Sequence, residues 1–143
     1  ADLNWRLISN TTRQFLCDVP AKKYTSGQYV REYMHILDAV EAQYLLLMRA
    51  DEYAGQAFNI GSGHQWTQEE AVDHIHQKHF PNGQIIRTPP PDTHFVEISY
   101  QRLNTDKIRR ALGWAPKRTV EEAVADVVGW WREHKDLAPW SLL

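Results

Sequence analysis

Gly27-Gln28-Tyr29-Val30-Arg31-Glu32-Tyr33-Met34-His35-Ile36-Leu37-Asp38 is the stretch on which the reading of the chain turns. It opens on a turn glycine and carries Val30, Tyr33 and Ile36 among small or charged neighbours, a pattern that predicts a strand over residues 29–36. It ends on Asp38, read as the start of a helix. Arg31 lies early in the segment, beside the turn. A cation fixed on a strand next to a glycine turn is placed to grip a phosphate from one direction. The residue type equally allows a surface ion pair with a carboxylate, which is common and weak.

With 143 residues, the chain is long enough for one domain with its own core, and 1–143 reads as a single unit. The net charge of −2 leaves no basic footprint for nucleic acid, so any anion site is local. The single cysteine, Cys17, excludes an internal disulfide. It fits a reducing compartment, and the cytoplasm is the expected location. No apolar run is long enough to span a membrane, so no membrane partner is expected. The sequence opens Ala1-Asp2-Leu3 without a methionine, which fits a processed or truncated piece of a longer protein.

Working outward, apolar residues recur at helical spacing over residues 5–16, and Asp18-Val19-Pro20 ends that helix. Lys22-Lys23-Tyr24 is a short extended piece before the turn Thr25-Ser26-Gly27. Asp38-Ala39-Val40-Glu41 reads as a capping box. Its helix is expected to run to about Ala50, with Val40, Tyr44, Leu47 and Met48 toward a core and a turn over residues 51–55. Residues 56–60 read as a short apolar strand closed by Gly61-Ser62-Gly63. Thr67-Gln68-Glu69-Glu70 starts a second capped helix ending near His79, and residues 84–88 read as another strand. Pro89-Pro90-Pro91 forces an extended segment, and residues 95–100 alternate. Asn104 or Thr105 caps a short helix that stops at Gly113. Thr119-Val120-Glu121-Glu122 caps the last one, whose apolar face is Val120, Ala123, Val124, Val127, Val128 and Trp131. Helices alternating with short strands make an α/β or α+β fold.

Several chemistries lack their motif. Gly61-Ser62-Gly63 has the first two glycines of a dinucleotide turn, but Trp66 stands where the third belongs, so it reads as a turn with an exposed backbone. No tyrosine has a lysine four residues later. His74, His76 and His79 share one helix without converging, so solvated surface histidines are expected rather than a metal site. No serine sits in a nucleophile-elbow context.

The blocks in order resemble a known family. Gly27-Gln28-x-x-Arg31-Glu32-Tyr33, then a strand and a capped helix, resembles the start of the substrate-binding half of extended short-chain dehydrogenases, the nucleotide-sugar epimerases and 4,6-dehydratases. Phe58-Asn59-Ile60-Gly61-Ser62-Gly63 is similar to that family's aromatic-Asn-Ile-Gly-x-Gly. The run from Asn104 to Pro116 is similar to its Asp-x-x-Lys…Leu-Gly-Trp-x-Pro. Thr119-Val120-Glu121-Glu122 with Trp130-Trp131 resembles its final helix, most closely that of dTDP-glucose 4,6-dehydratases.

The resemblance implies a nucleoside-diphosphate sugar as ligand, with Arg31 on the diphosphate, Arg6, Leu7 and Ile8 lining the nucleotide pocket, and Lys23 and Tyr24 beside the base. It implies NAD or NADP for the parent family. The Gly-rich turn and Tyr-x-x-x-Lys pair that family members carry earlier in the chain are absent here, so no cofactor and no catalysis are expected of this chain alone. A separate or missing Rossmann domain is the implied partner. Where the family has Arg-Pro-Gly-Asp, this chain has Pro89-Pro90-Pro91-Asp92 without the arginine. The rival expectation is a non-catalytic interaction or dimerisation module built on the same fold. A surface parted from its partner would drive association, so a homo-oligomer is expected.

Overall fold

Two threonine–glutamate pairs set the frame. The Thr67 hydroxyl accepts the Glu70 N–H while the Glu70 carboxylate accepts the Thr67 N–H, and Thr119 and Glu122 repeat the exchange. Two helices therefore start where the sequence places them. The computed structural model describes residues 6–24, 28–89 and 98–137. In chain order these form α1 (Leu7–Leu16), β1 (Ala21–Tyr24), β2 (Val30–Glu32), α2 (Ile36–Leu47), α3 (Ala50–Tyr53), β3 (Gln65–Thr67), α4 (Gln68–His79), β4 (Ile85–Thr88), α5 (Asp106–Leu112) and α6 (Val120–Glu133), with a short 3-10 turn at Lys135–Leu137. The fold is a mixed α/β arrangement.

The strands make two small sheets. β1 and β4 pair in parallel, Ala21 opposite Ile85 through Tyr24 opposite Thr88. β2 and β3 pair antiparallel, Arg31 opposite Trp66. On the other edge of β2, Val30 forms a parallel bridge with Tyr100. The principal core lies between α1, α4, α6 and β1. Phe15, Ala21, Ile75, Val120, Val124 and Val128 fill it, and Ile8, Tyr33, Trp66, Phe80 and Ile85 pack around them. Arg13 is buried with its guanidinium over the Trp131 ring. A second cluster of Ala42, Ile108 and Trp114 draws in Met34, Leu45, Leu46, Phe58, Ile60 and Leu112.

Three expectations are corrected. First, the Asp38 capping box does not form. The helix begins at Ile36, and the cap is His35, whose Nδ1 accepts the Leu37 N–H. Asp38 is fully buried and serves another element: it accepts the Lys117 and Arg118 N–H groups and the Arg118 guanidinium at 2.6 Å. The preceding strand accordingly stops at Glu32, well short of residue 36.

Second, the face of α2 expected in the core is outside. Val40, Tyr44, Leu47 and Met48 are 50%, 59%, 70% and 65% exposed, and Ile36 is 68% exposed. Ala42 is buried, with Leu45 and Leu46 packed against its cluster instead. The helix is apolar on both sides, so the sequence pattern could not say which side the core takes. It also ends at Leu47, and α3 makes a helical turn where a plain turn was expected.

Third, residues 56–60 form no strand. Among the described residues, residues 57–60 have no backbone partner. Lys107 Nζ donates to the Ala57 carbonyl and Asn59 Nδ2 to the Asn104 carbonyl. The turn Thr25-Ser26-Gly27, the tail beyond residue 137 and most of residues 89–97 lie outside the described residues.

Candidate functional site

β2 is three residues long and carries one candidate contact, Arg31. Arg31 is half-buried there, and its Nη1 donates to the Val30 carbonyl at 2.9 Å and the Ile98 carbonyl at 2.7 Å. The guanidinium carbon sits 5.7 Å from the centre of the Tyr29 ring. Carbonyl anchoring on one nitrogen, with an aromatic ring beside the fork, holds the cation in a set orientation.

The first turn of α4 ties the two sheets together. Lys23 of β1 is buried at 5% exposure, and its ammonium lies 2.7 Å from both Asp73 oxygens and 2.8 Å from Glu69. Glu69 also accepts from Arg87 of β4 at 2.9 Å and from Gln28 at 3.2 Å. The hydrogen bonds from Lys23 and then Arg87 hold the Glu69 carboxyl below its usual value. The Gln68 N–H donates to the Tyr29 carbonyl at 3.2 Å, so the same turn also grips the entry to β2.

The candidate residues therefore fall into three places. Arg6 is exposed at the N-cap position of α1 without a side-chain capping bond. Leu7 and Ile8 are half-buried in the first turn of α1, and Ile8 packs on the principal core. Lys23 and Tyr24 end β1, Tyr24 in register with Thr88. Arg31 stands on the other sheet. Lys23 is committed to two carboxylates, so its contribution to a neighbouring pocket is to fix β1 rather than to offer a charge.

Sequence reasoning missed Glu69 and Asp73, and it missed Glu32. Nothing in residue type marked the first two beyond their place beside a capping box. The Glu32 carboxylate accepts the Gly63 N–H at 2.9 Å and the Leu103 N–H at 2.8 Å. A Cβ on Gly61 would collide with that carboxylate, so the glycine makes room for Glu32. This corrects the reading of Gly61-Ser62-Gly63 as a turn with an exposed backbone: Gly61 and Ser62 are buried, and Ser62 Oγ donates to the Tyr33 carbonyl.

A dinucleotide does not fit this turn. The Gly63 N–H that would face a phosphate is given to Glu32, and strand β3, not a helix, follows the turn. Among the described residues no group of three metal-ligating side chains converges. His76 Nε2 contacts the Gly83 carbonyl, and His74 packs on Trp66.

Residues 2–61 match the sequence profile of the NAD dependent epimerase/dehydratase family. The chain is 31% identical over 98 residues to the dTDP-6-deoxy-L-talose 4-dehydrogenase (NAD(P)(+)) of Kitasatospora kifunensis, covering 68% of this chain and 30% of that protein. It is 29% identical over 122 residues to the dTDP-glucose 4,6-dehydratase of Haemophilus influenzae, covering 78% of this chain and 35% of that one. The chain thus spans about a third of the length of these relatives. In fold it is similar to the UDP-glucose 4-epimerase of Thermotoga maritima solved with UDP-glucose, with a TM-score of 0.76, 25% identity, and coverage of 90% of this chain and 40% of that one. It is similar also to the dTDP-glucose 4,6-dehydratase of Streptomyces venezuelae, with a TM-score of 0.77, 23% identity, and coverage of 94% and 40%.

Proposed function

We propose that this chain is the nucleotide-sugar-binding part of an NAD dependent epimerase/dehydratase, the C-terminal part that receives the substrate and presents its sugar to a cofactor-binding domain. The observation that carries this reading is the fold match over 90% of the chain to an epimerase solved with UDP-glucose. In this reading the Arg31 guanidinium, oriented by the Val30 and Ile98 carbonyls, faces the diphosphate. Arg6, Leu7 and Ile8 flank the nucleotide, and the end of β1 at Lys23 and Tyr24 borders the base. Two phosphates favour a fixed fork of donors, and a base favours a flat, largely apolar wall.

The cofactor belongs to another domain, in the same or a separate chain. Hydride chemistry needs a bound nicotinamide and an acid/base pair, and the residues described here supply neither, so this chain alone is proposed to be inactive. α2 supports the need for a partner. A large exposed apolar face is ordinarily covered by a partner, and α2 with its C-cap exposes Ile36, Val40, Tyr44, Leu47 and Met48. The neighbouring residues 57–60 leave backbone groups without a backbone partner among the described residues. Both features fit addition to the edge of a cofactor-binding sheet. The same exposed face favours a second reading, a non-catalytic module that pairs with itself or another protein.

Calorimetric titration with dTDP, UDP and their glucose conjugates separates the two. The first reading expects saturable binding, weakened about tenfold or more by Arg31→Ala. Absence of binding to all four ligands would overturn it and leave the second. Turnover by the isolated chain with added NAD would overturn the inactive assignment.

A further inference from the structure

We infer that the cavity bounded by Gly63, Arg102, Asn104, Thr105, Asp106 and Arg109 is a second anion site, for a phosphate group, separate from Arg31. The cavity has a volume of about 400 Å³ and is lined mainly by polar groups. Val30 bridges Tyr100, and just beyond that bridge the Glu32 carboxylate accepts the Leu103 and Gly63 N–H groups, which brings two lining segments together. Arg31 is not part of the lining.

The Glu32 carboxylate is already engaged. Glu32 spends its oxygens on the Gly63 and Leu103 N–H groups. Among the described residues Arg102 has no hydrogen bond or ion pair. Arg109 is oriented by its Nε, which donates to the Thr105 hydroxyl at 3.2 Å, and Thr105 is itself 9% exposed. That bond leaves the terminal nitrogens of Arg109 for a ligand. Asp106 lines the same cavity and opposes an anion, and Glu32 adjoins it with both oxygens on backbone N–H groups, so Asp106 is the carboxylate that a ligand meets beside the two guanidiniums. Two forks around one cavity suit the tetrahedral oxygens of phosphate. Arg102 and Arg109 are both exposed, so binding is screened by salt.

Amide and arginine side-chain NMR shifts of the 143-residue chain, recorded during titration at low salt with inorganic phosphate and with glucose 1-phosphate, test the assignment. The two ligands distinguish a free ion from a phosphate carried on a sugar. Saturable shifts at Gly63, Thr105 and Arg109 Nε with either ligand are expected. Arg102→Ala should weaken binding about tenfold, and Asp106→Asn should tighten it. Arg31→Ala should change neither, which keeps this test independent of the nucleotide-sugar reading. If Arg109→Ala perturbs the fold by circular dichroism, Arg102→Ala decides alone, because its side chain holds nothing else among the described residues. Absence of shifts at the cavity with both ligands, or an affinity unchanged by Arg102→Ala, would overturn the assignment.

Discussion

Asp38 carries more of the fold than its place in a helix implies. Burial alone would push its pKa up, but the Arg118 N–H, the Arg118 guanidinium and the Lys117 N–H outweigh that and hold the carboxyl below its usual value. A carboxyl lowered by folding stabilises fully above its unfolded value, near pH 4, and loses that contribution as pH falls through the lower folded value. Glu69 acts in the same direction. Thermal unfolding followed from pH 6 down to pH 2 should therefore show the melting temperature dropping below about pH 4, with a shallower drop in Asp38→Asn. Asp38→Ala leaves the Lys117 and Arg118 N–H groups and the Arg118 guanidinium without their acceptor and is expected to cost about 2 kcal/mol by urea denaturation. A loss under about 1 kcal/mol would show that the pair is not integral to the fold. The Glu32 clamp allows a coupled test. Gly61→Ala should destabilise by about 1–3 kcal/mol through its clash with Glu32, and that loss should shrink in a Glu32→Ala background, where the clash is gone. Additive losses would mean that Gly61 matters for another reason.

At the scale of elements, what the sequence made legible was what local chemistry decides. α4 and α6 were readable because each starts on a threonine–glutamate box, and α6 also because a polar face opposes Val120, Val124, Val128 and Trp131. The end of α5 was readable from Gly113, which takes the left-handed conformation with φ of +64°. α2 and residues 56–60 were misread because their surroundings decide them. α2 has apolar residues on both sides, and its cap, His35, is a residue type with no strong capping signature. An apolar run such as residues 56–60 becomes a strand when another strand is beside it, and no periodicity supplies that neighbour. The exposed face of α2 gives a prediction at this scale. Leu47→Lys, at 70% exposure, should change unfolding free energy by less than about 0.5 kcal/mol. It should nevertheless reduce self-association in sedimentation velocity. An unchanged sedimentation profile at every concentration would mean that the face does not drive assembly of this chain.

For the molecule as a whole, the type of fold was legible in the sequence, and the layout of the candidate residues was not. The order of blocks around Arg31, Asn59 and Gly113-Trp114 gave the type of fold, and Arg31 does lie on a strand. Two sheets joined through the first turn of α4 could not be foreseen, because Lys23, Glu69, Asp73 and Arg87 are far apart in sequence and meet only through packing. That arrangement separates the two parts of the proposed pocket, the end of β1 and the middle of β2, and makes α4 the element that fixes their spacing. The central claim is that these parts receive one nucleoside-diphosphate sugar. The most direct measurement is backbone-amide NMR shift mapping of the 143-residue chain during titration with dTDP-glucose. The account predicts saturable shifts clustered at residues 6–8, 22–24 and 30–32, lost in Arg31→Ala. Shifts confined to α2, or none at a large excess of ligand, would contradict it.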